Sequence, residues 1–275
     1  MTLSLVDYLS LLAIVIIGIP HGALDLDLAI AGNSATTQRR STIFVIYLAI
    51  AFVSFISWYL TPSIALGVFL LLSTVHFGRA NPLLLDYKNK NRPVILIGSI
   101  IFQGGLTTIF LPWVYWSETK IIFAALDAYI PAFQLIGIFA VLAWLLAAFV
   151  ASLHHRNVRL YLSLTILMGL AFFKELFTPL CLFSIFFCVL HSIPHYLKAS
   201  DEIGTSPRKP PIGFLVNTVA AWIIVATVSI FFYQNQNLNT SALNGIFSVL
   251  FALTVPHMIL VDLLLPNRLT RWRIT

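Results

Sequence analysis

Apolar positions run almost end to end along this chain, interrupted only by short polar joints, and so predict helices long enough to cross a bilayer. A span takes roughly 20 apolar residues. Nine such runs can be read, at 4–31, 41–60, 63–80, 93–112, 131–153, 159–177, 179–199, 212–233 and 241–265. The segment 119–130 (TKIIFAALDAYI) is apolar but short and carries Asp127, which suits an interfacial or re-entrant piece. The expected fold is all-α: a polytopic transmembrane helical bundle of nine spans, with eight as the alternative count. Residues 1–275 are expected to form one integral membrane domain.

The basic residues orient this bundle. With the N-terminus outside, only Lys120 and Lys174 of the 16 Lys and Arg residues fall on the outer side. The rest, from Arg39 and Arg40 to Arg271 and Arg273, lie on or near the cytoplasmic side, as the positive-inside rule asks. Adding or deleting one span scrambles that asymmetry. The C-terminus is accordingly cytoplasmic, and Trp58, Tyr59, Trp113, Tyr115, Trp116 and Tyr233 fall near outer ends as an aromatic belt. Asp7, rather than Lys or Arg, precedes the first run, and no small-residue cleavage site closes it. It is expected as a retained span and not a signal peptide.

Composition supports the same class, since 59% hydrophobic and 9% charged residues leave too little polar surface for a soluble domain. The lipid bilayer is thus the first partner. The net charge of +6 does not point to nucleic acid, because the basic residues sit in short loops rather than on one face. Cys181 and Cys188 are seven apart on one helix, about 10 Å along its axis, too far for a disulfide. Both read as packing residues.

Five of the seven histidines lie inside apolar runs: His21, His76, His191, His195 and His257. Ionisable groups inside a membrane are costly and tend to mark function. On the nine-span topology all five occupy spans running outside to inside, 12 to 17 residues from the outer end, and so share one depth. His191 and His195 (HSIPH) project from one helical face and can chelate one ion. His21 and His76 could add imidazoles from neighbouring helices. An imidazole set without thiolate suits Fe, Zn, Cu or Ni. His257 is open to two roles, a further ligand or a residue that hydrogen-bonds one. Pro20, Pro194 and Pro256 each precede one of these histidines and should kink their helices at that depth. Asp25, one turn after His21, is the carboxylate best placed to accept the second N–H of a ligating imidazole. Asp27 and Asp262 read as cytoplasmic interface residues, and His154 and His155 as solvated loop residues.

The strings GIPHGALDLD, STVHFGRAN and HSIPHYLK, in this order, resemble the Brp/Blh-like β-carotene 15,15′-dioxygenase family of bacterial and archaeal integral membrane proteins. The resemblance covers essentially the whole chain in length, span count and motif order. It implies a catalytic domain that cleaves β-carotene centrally with O2 into two molecules of all-trans-retinal. It also implies Fe(2+) held by His21, His76, His191 and His195, a multi-pass place in the cell membrane, and a functional link to a retinal-binding rhodopsin. His257 lies in a PHxxxxD string also typical of the family.

Other readings remain alongside it. A di-iron membrane oxidase needs about eight histidines in repeated boxes, more than this chain buries. A proton or metal-ion transporter would want acidic partners at the same depth and repeated halves. A b-type cytochrome would pair histidines across a haem. Oligomeric state and carotenoid range are left open.

Overall fold

The computed structural model describes residues 2–31, 37–80, 93–129, 133–152, 166–173 and 176–265, and among these there is no strand. The helices are α1 (Leu5–Ile30), α2 (Thr37–Leu60), α3 (Pro62–Ala80), α4 (Pro93–Val114), α5 (Trp116–Ala125), α6 (Phe133–Ser152), α7 (Pro179–Glu202), α8 (Ile212–Tyr233) and α9 (Leu238–Leu264). Seven of them, α1 to α4 and α7 to α9, are long and apolar enough to cross a membrane. The fifth expected span corresponds to α6, whose apolar stretch Ile136–Ser152 is shorter. Of the sixth, 159–177, the described residues are 166–173 and 176–177, with a helical piece at 166–170. His154, His155, Lys174 and the basic residues at 268, 271 and 273 also lie outside them.

Side-chain caps start several helices. Ser4 caps α1 in a reciprocal box with Asp7, which satisfies two orphan backbone donors and explains why an acid opens the first apolar run. Thr178 caps α7 with Pro179 in its first turn, and Asn237 caps α9. The segment expected to be interfacial forms α5. Beyond it Asp127 takes a positive φ of 54° and accepts a hydrogen bond from Gln236 Nε2 at 2.9 Å.

Between membrane helices, packing rather than water exclusion does the holding, and small residues let backbones approach. At Gly78 a side chain would strike the backbone of Ile100, and at Gly104 that of Thr74, so α3 and α4 close on each other at two glycines. Trp144 of α6 is fully buried and donates from Nε1 to the Phe102 carbonyl of α4 at 2.8 Å. Cys181 and Cys188 are both free thiols, as their spacing required. Helix α9 is the central post: α2 and α8 each pack along it, and scarcely against one another.

Candidate metal centre

Most of the buried histidines sit where helical winding changes. Helix α1 passes from α-helix through a π-helical turn, Ile14–Gly18, into a 3-10 segment, Ile19–Leu24, that carries His21. In α7 the π-helical stretch Ile185–Ser192 carries His191, and an ordinary α-turn holding His195 resumes behind it. In α9 His257 is followed by the π-helical segment Ile259–Leu264. His76 alone of the five has no change of winding in its helix. Pro20, Pro194 and Pro256 lie at or beside these transitions. A proline cannot donate to the α-ladder, and a local change of winding is one way a helix absorbs the loss. Such a change also re-aims the side chains that follow.

The result is one cluster. The His257 ring lies 4.9 Å from that of His21 and 5.0 Å from those of His76 and His195, centroid to centroid. His191 lies 4.9 Å from His76 and 5.2 Å from His21. All five are buried. The shared depth of the sequence reading thus corresponds to a shared place, and His257 stands amid the others rather than behind them.

The outer nitrogens of three rings have acceptors. His21 Nδ1 donates to the Gly18 carbonyl. His76 Nδ1 donates to Asp262 Oδ2 at 2.8 Å. His257 Nδ1 faces both oxygens of Asp25, at 2.8 and 2.9 Å. Carbonyls and carboxylates only accept, so these contacts place the proton on Nδ1 and leave a lone pair on Nε2. The Nε2 atoms of His76, His191, His195 and His257 are buried without a partner. Buried polar atoms are rarely left so, and one explanation is an ion. His21, His76 and His257 each offer a ring nitrogen, all within 4.8 Å of one another, and a carboxylate oxygen of Asp25 lies equally close to ring nitrogens of His195 and His257. The donor set fits a metal.

Two carboxylates accept from the rings, and one of them, Asp262, departs from expectation. Asp25 braces His257, which lies 232 residues away, and not its own helical neighbour His21. Asp262, read from sequence as an interface residue, reaches His76 with only 10% of its side chain exposed. Sequence reasoning also missed Tyr47, whose hydroxyl donates to Asp25 Oδ2 at 2.8 Å. Nothing in the apolar run of α2 singles that tyrosine out.

Three cavities meet at the cluster. A groove of about 980 Å³, mouth included, is lined by α1, α2, α8 and α9 and ends at His21 and His257. A constriction of about 250 Å³ continues past His21, His76, His191 and His257. Beyond it a chamber of about 660 Å³ lies beneath α5, sharing Phe69, Ser73 and Phe77 with the constriction. Phe77 and Phe187 pack against the rings, and a side chain at Gly18 would strike Phe187.

A family model described as β-carotene 15,15′-dioxygenase matches residues 12–265, a range that includes all five histidines, Asp25, Tyr47 and Asp262. The chain belongs to that family. A relative from an uncultured marine bacterium, 66A03, named β-carotene 15,15′-dioxygenase, is 30% identical over 279 residues, spanning 100% of this chain and 99% of its own length. No solved structure matches this dioxygenase-family chain.

Proposed function

We propose that this protein cleaves β-carotene at its central double bond with O2, giving two molecules of all-trans-retinal, and that it does so with Fe(2+) in the cell membrane. The passage carries this reading: His21, His76, His191 and His257 line the groove and the constriction that joins it to the chamber, with His195 beside them in the same cluster. A long symmetric polyene lying through both would present its middle to the donors. His21, His76, His191 and His195 would hold the ion, and His257 joins them as a fifth imidazole because its Nε2 is equally orphaned. The nine-span topology, the outside N-terminus and the single catalytic domain over residues 1–275 belong to the same proposal.

A ferrous ion held there supplies the activation of O2, and a neutral imidazole set suits it. The chain's own residues do the rest. Asp25 and Asp262 fix the tautomer and orientation of His257 and His76. Phe69, Phe77, Phe187 and Leu250 line the constriction and keep water from the reacting bond. The apolar walls on either side position the polyene, which is the protein's main catalytic contribution. Both oxygen atoms end in the two aldehydes, so the overall change needs no separate reductant. A transport reading is less well supported, since it would want a polar route on both sides of the histidines and both compartments are predominantly apolar.

The test is expression in β-carotene-producing bacteria, with pigment loss and retinal followed together, and metal analysis of the purified protein. Retinal formation with close to one iron per chain and no haem is expected. Two irons per chain, or intact pigment beside abundant folded protein, would overturn the reading.

A further inference from the structure

We infer that the cleft between α2 and α8 is a lateral door through which the polyene enters directly from the hydrocarbon of the bilayer. This rests on the function proposed above and adds the route. The groove that ends at His21 and His257 has its exposed lining residues on two helices only: Phe44 and Leu48 on α2, Ala220 and Ile224 on α8. Phe44, Leu48 and Ile224 are 42%, 44% and 42% exposed. The two helices both lean on α9 and meet through Tyr59 and Phe231, ring centroids 5.9 Å apart, at the outer end, so below that contact α9 floors an open cleft. Its deep end is tied: Tyr47 donates to Asp25, and Asn217 Nδ2 donates to the Ala23 carbonyl at 2.9 Å, fastening α2 and α8 to α1. Its rim carries no charge and no hydrogen-bonding side chain. Leu48 lies eight residues into α2 from Arg40, about 12 Å along the axis, which places the rim at hydrocarbon depth. A rim of that chemistry recognises an apolar chain already dissolved in lipid, not a solute arriving from water.

The far chamber continues the passage beyond the histidines. None of its lining residues is exposed, and α5 covers it with Thr119, Ile122 and Phe123. A polyene entering at the cleft threads end-first past the histidines and into this chamber.

The experiment uses the full-length, iron-loaded protein in vesicles containing β-carotene. Ala220→Trp and Leu48→Trp should lower kcat/KM by at least about tenfold with iron content unchanged. Val45→Trp and Val219→Trp, on the same helices but off the groove, should match the unsubstituted protein. A Leu48→Cys protein, assayed before and after reaction with a bulky apolar maleimide, keeps the test independent of how the tryptophan variants fold. Its activity should fall on labelling, while unsubstituted protein treated alike should not lose activity. Full turnover in the labelled protein and in both groove variants would overturn the door while leaving the dioxygenase reading standing. No retinal from the unsubstituted protein would overturn both.

Discussion

Replacing Asp25 by Asn isolates what a carboxylate does that an amide cannot. The carboxylate takes two donors at once, His257 Nδ1–H and the Tyr47 hydroxyl, at 2.8 to 2.9 Å, and it is only 3% exposed. Asparagine keeps the shape but has one accepting oxygen and a donating NH2. Whichever way it turns, its NH2 comes within 2.9 Å of the His257 Nδ1–H, donor against donor, because that N–H contacts both oxygens. One buried donor left unsatisfied costs about 1–3 kcal/mol, which corresponds to a loss of about 5- to 140-fold in metal affinity if it falls on the metal-bound state. Competition with a calibrated chelator on purified protein, with thermal unfolding as a check on the fold, measures it. Tyr47 touches the same carboxylate, so the effects of Asp25→Asn and Tyr47→Phe on metal affinity should be non-additive, a coupling a double-mutant cycle reports directly. Unchanged affinity in Asp25→Asn, or strict additivity in the cycle, would refute the reasoning.

Single replacement of His21, His76, His191, His195 or His257 by Ala should remove retinal formation while expression persists. The losses should exceed the about 10- to 100-fold typical of outer partners, and excess Fe(II) should not restore them; substantial residual turnover in any variant strikes that residue from the donor set. Asp262→Asn should be milder than Asp25→Asn, because its one recorded donor, His76 Nδ1–H, can be met by an amide oxygen. The cost is that of exchanging a charged for a neutral acceptor, about 1 kcal/mol or fivefold in metal affinity. Ile122→Trp should shorten the chamber beneath α5 and move cleavage towards the inserted ring, read by chromatography as unequal apocarotenals in place of retinal alone.

What the sequence revealed, and what it did not, follows from the range of each signal. Apolar runs report helices directly, because a bilayer demands about 20 such residues each time. The HSIPH spacing reports a shared face because helical periodicity is local. Depth could be compared across helices because every run is measured from the same membrane plane. Azimuth could not: nothing in a run says which neighbour its polar face meets. The sequence therefore marks Asp25 as an acceptor for a ligating imidazole without naming His257 as that imidazole, and it does not show that Asp262 touches His76 across 186 positions. The chamber was illegible for the same reason, since phenylalanines that line it look like those that face lipid.

The two carboxylates also bear on what the centre can hold. Their recorded ion-pair partners among the described residues are His257 and His76, with no Lys or Arg beside either. Isolated carboxylates at this depth would be expensive to bury. The five imidazoles contribute no formal charge when their Nε2 lone pairs point inward, so the balancing charge must come from elsewhere. One divalent cation cancels both carboxylates, whereas a trivalent ion would leave an excess positive charge in an apolar cavity. An iron held as proposed would therefore be favoured in its lower oxidation state through charge balance, independently of any preference of the ligands. The same arithmetic disfavours an ion-conducting relay. A cation leaving this site would strand two buried negative charges, and the apolar walls of both adjoining compartments offer it nowhere to go.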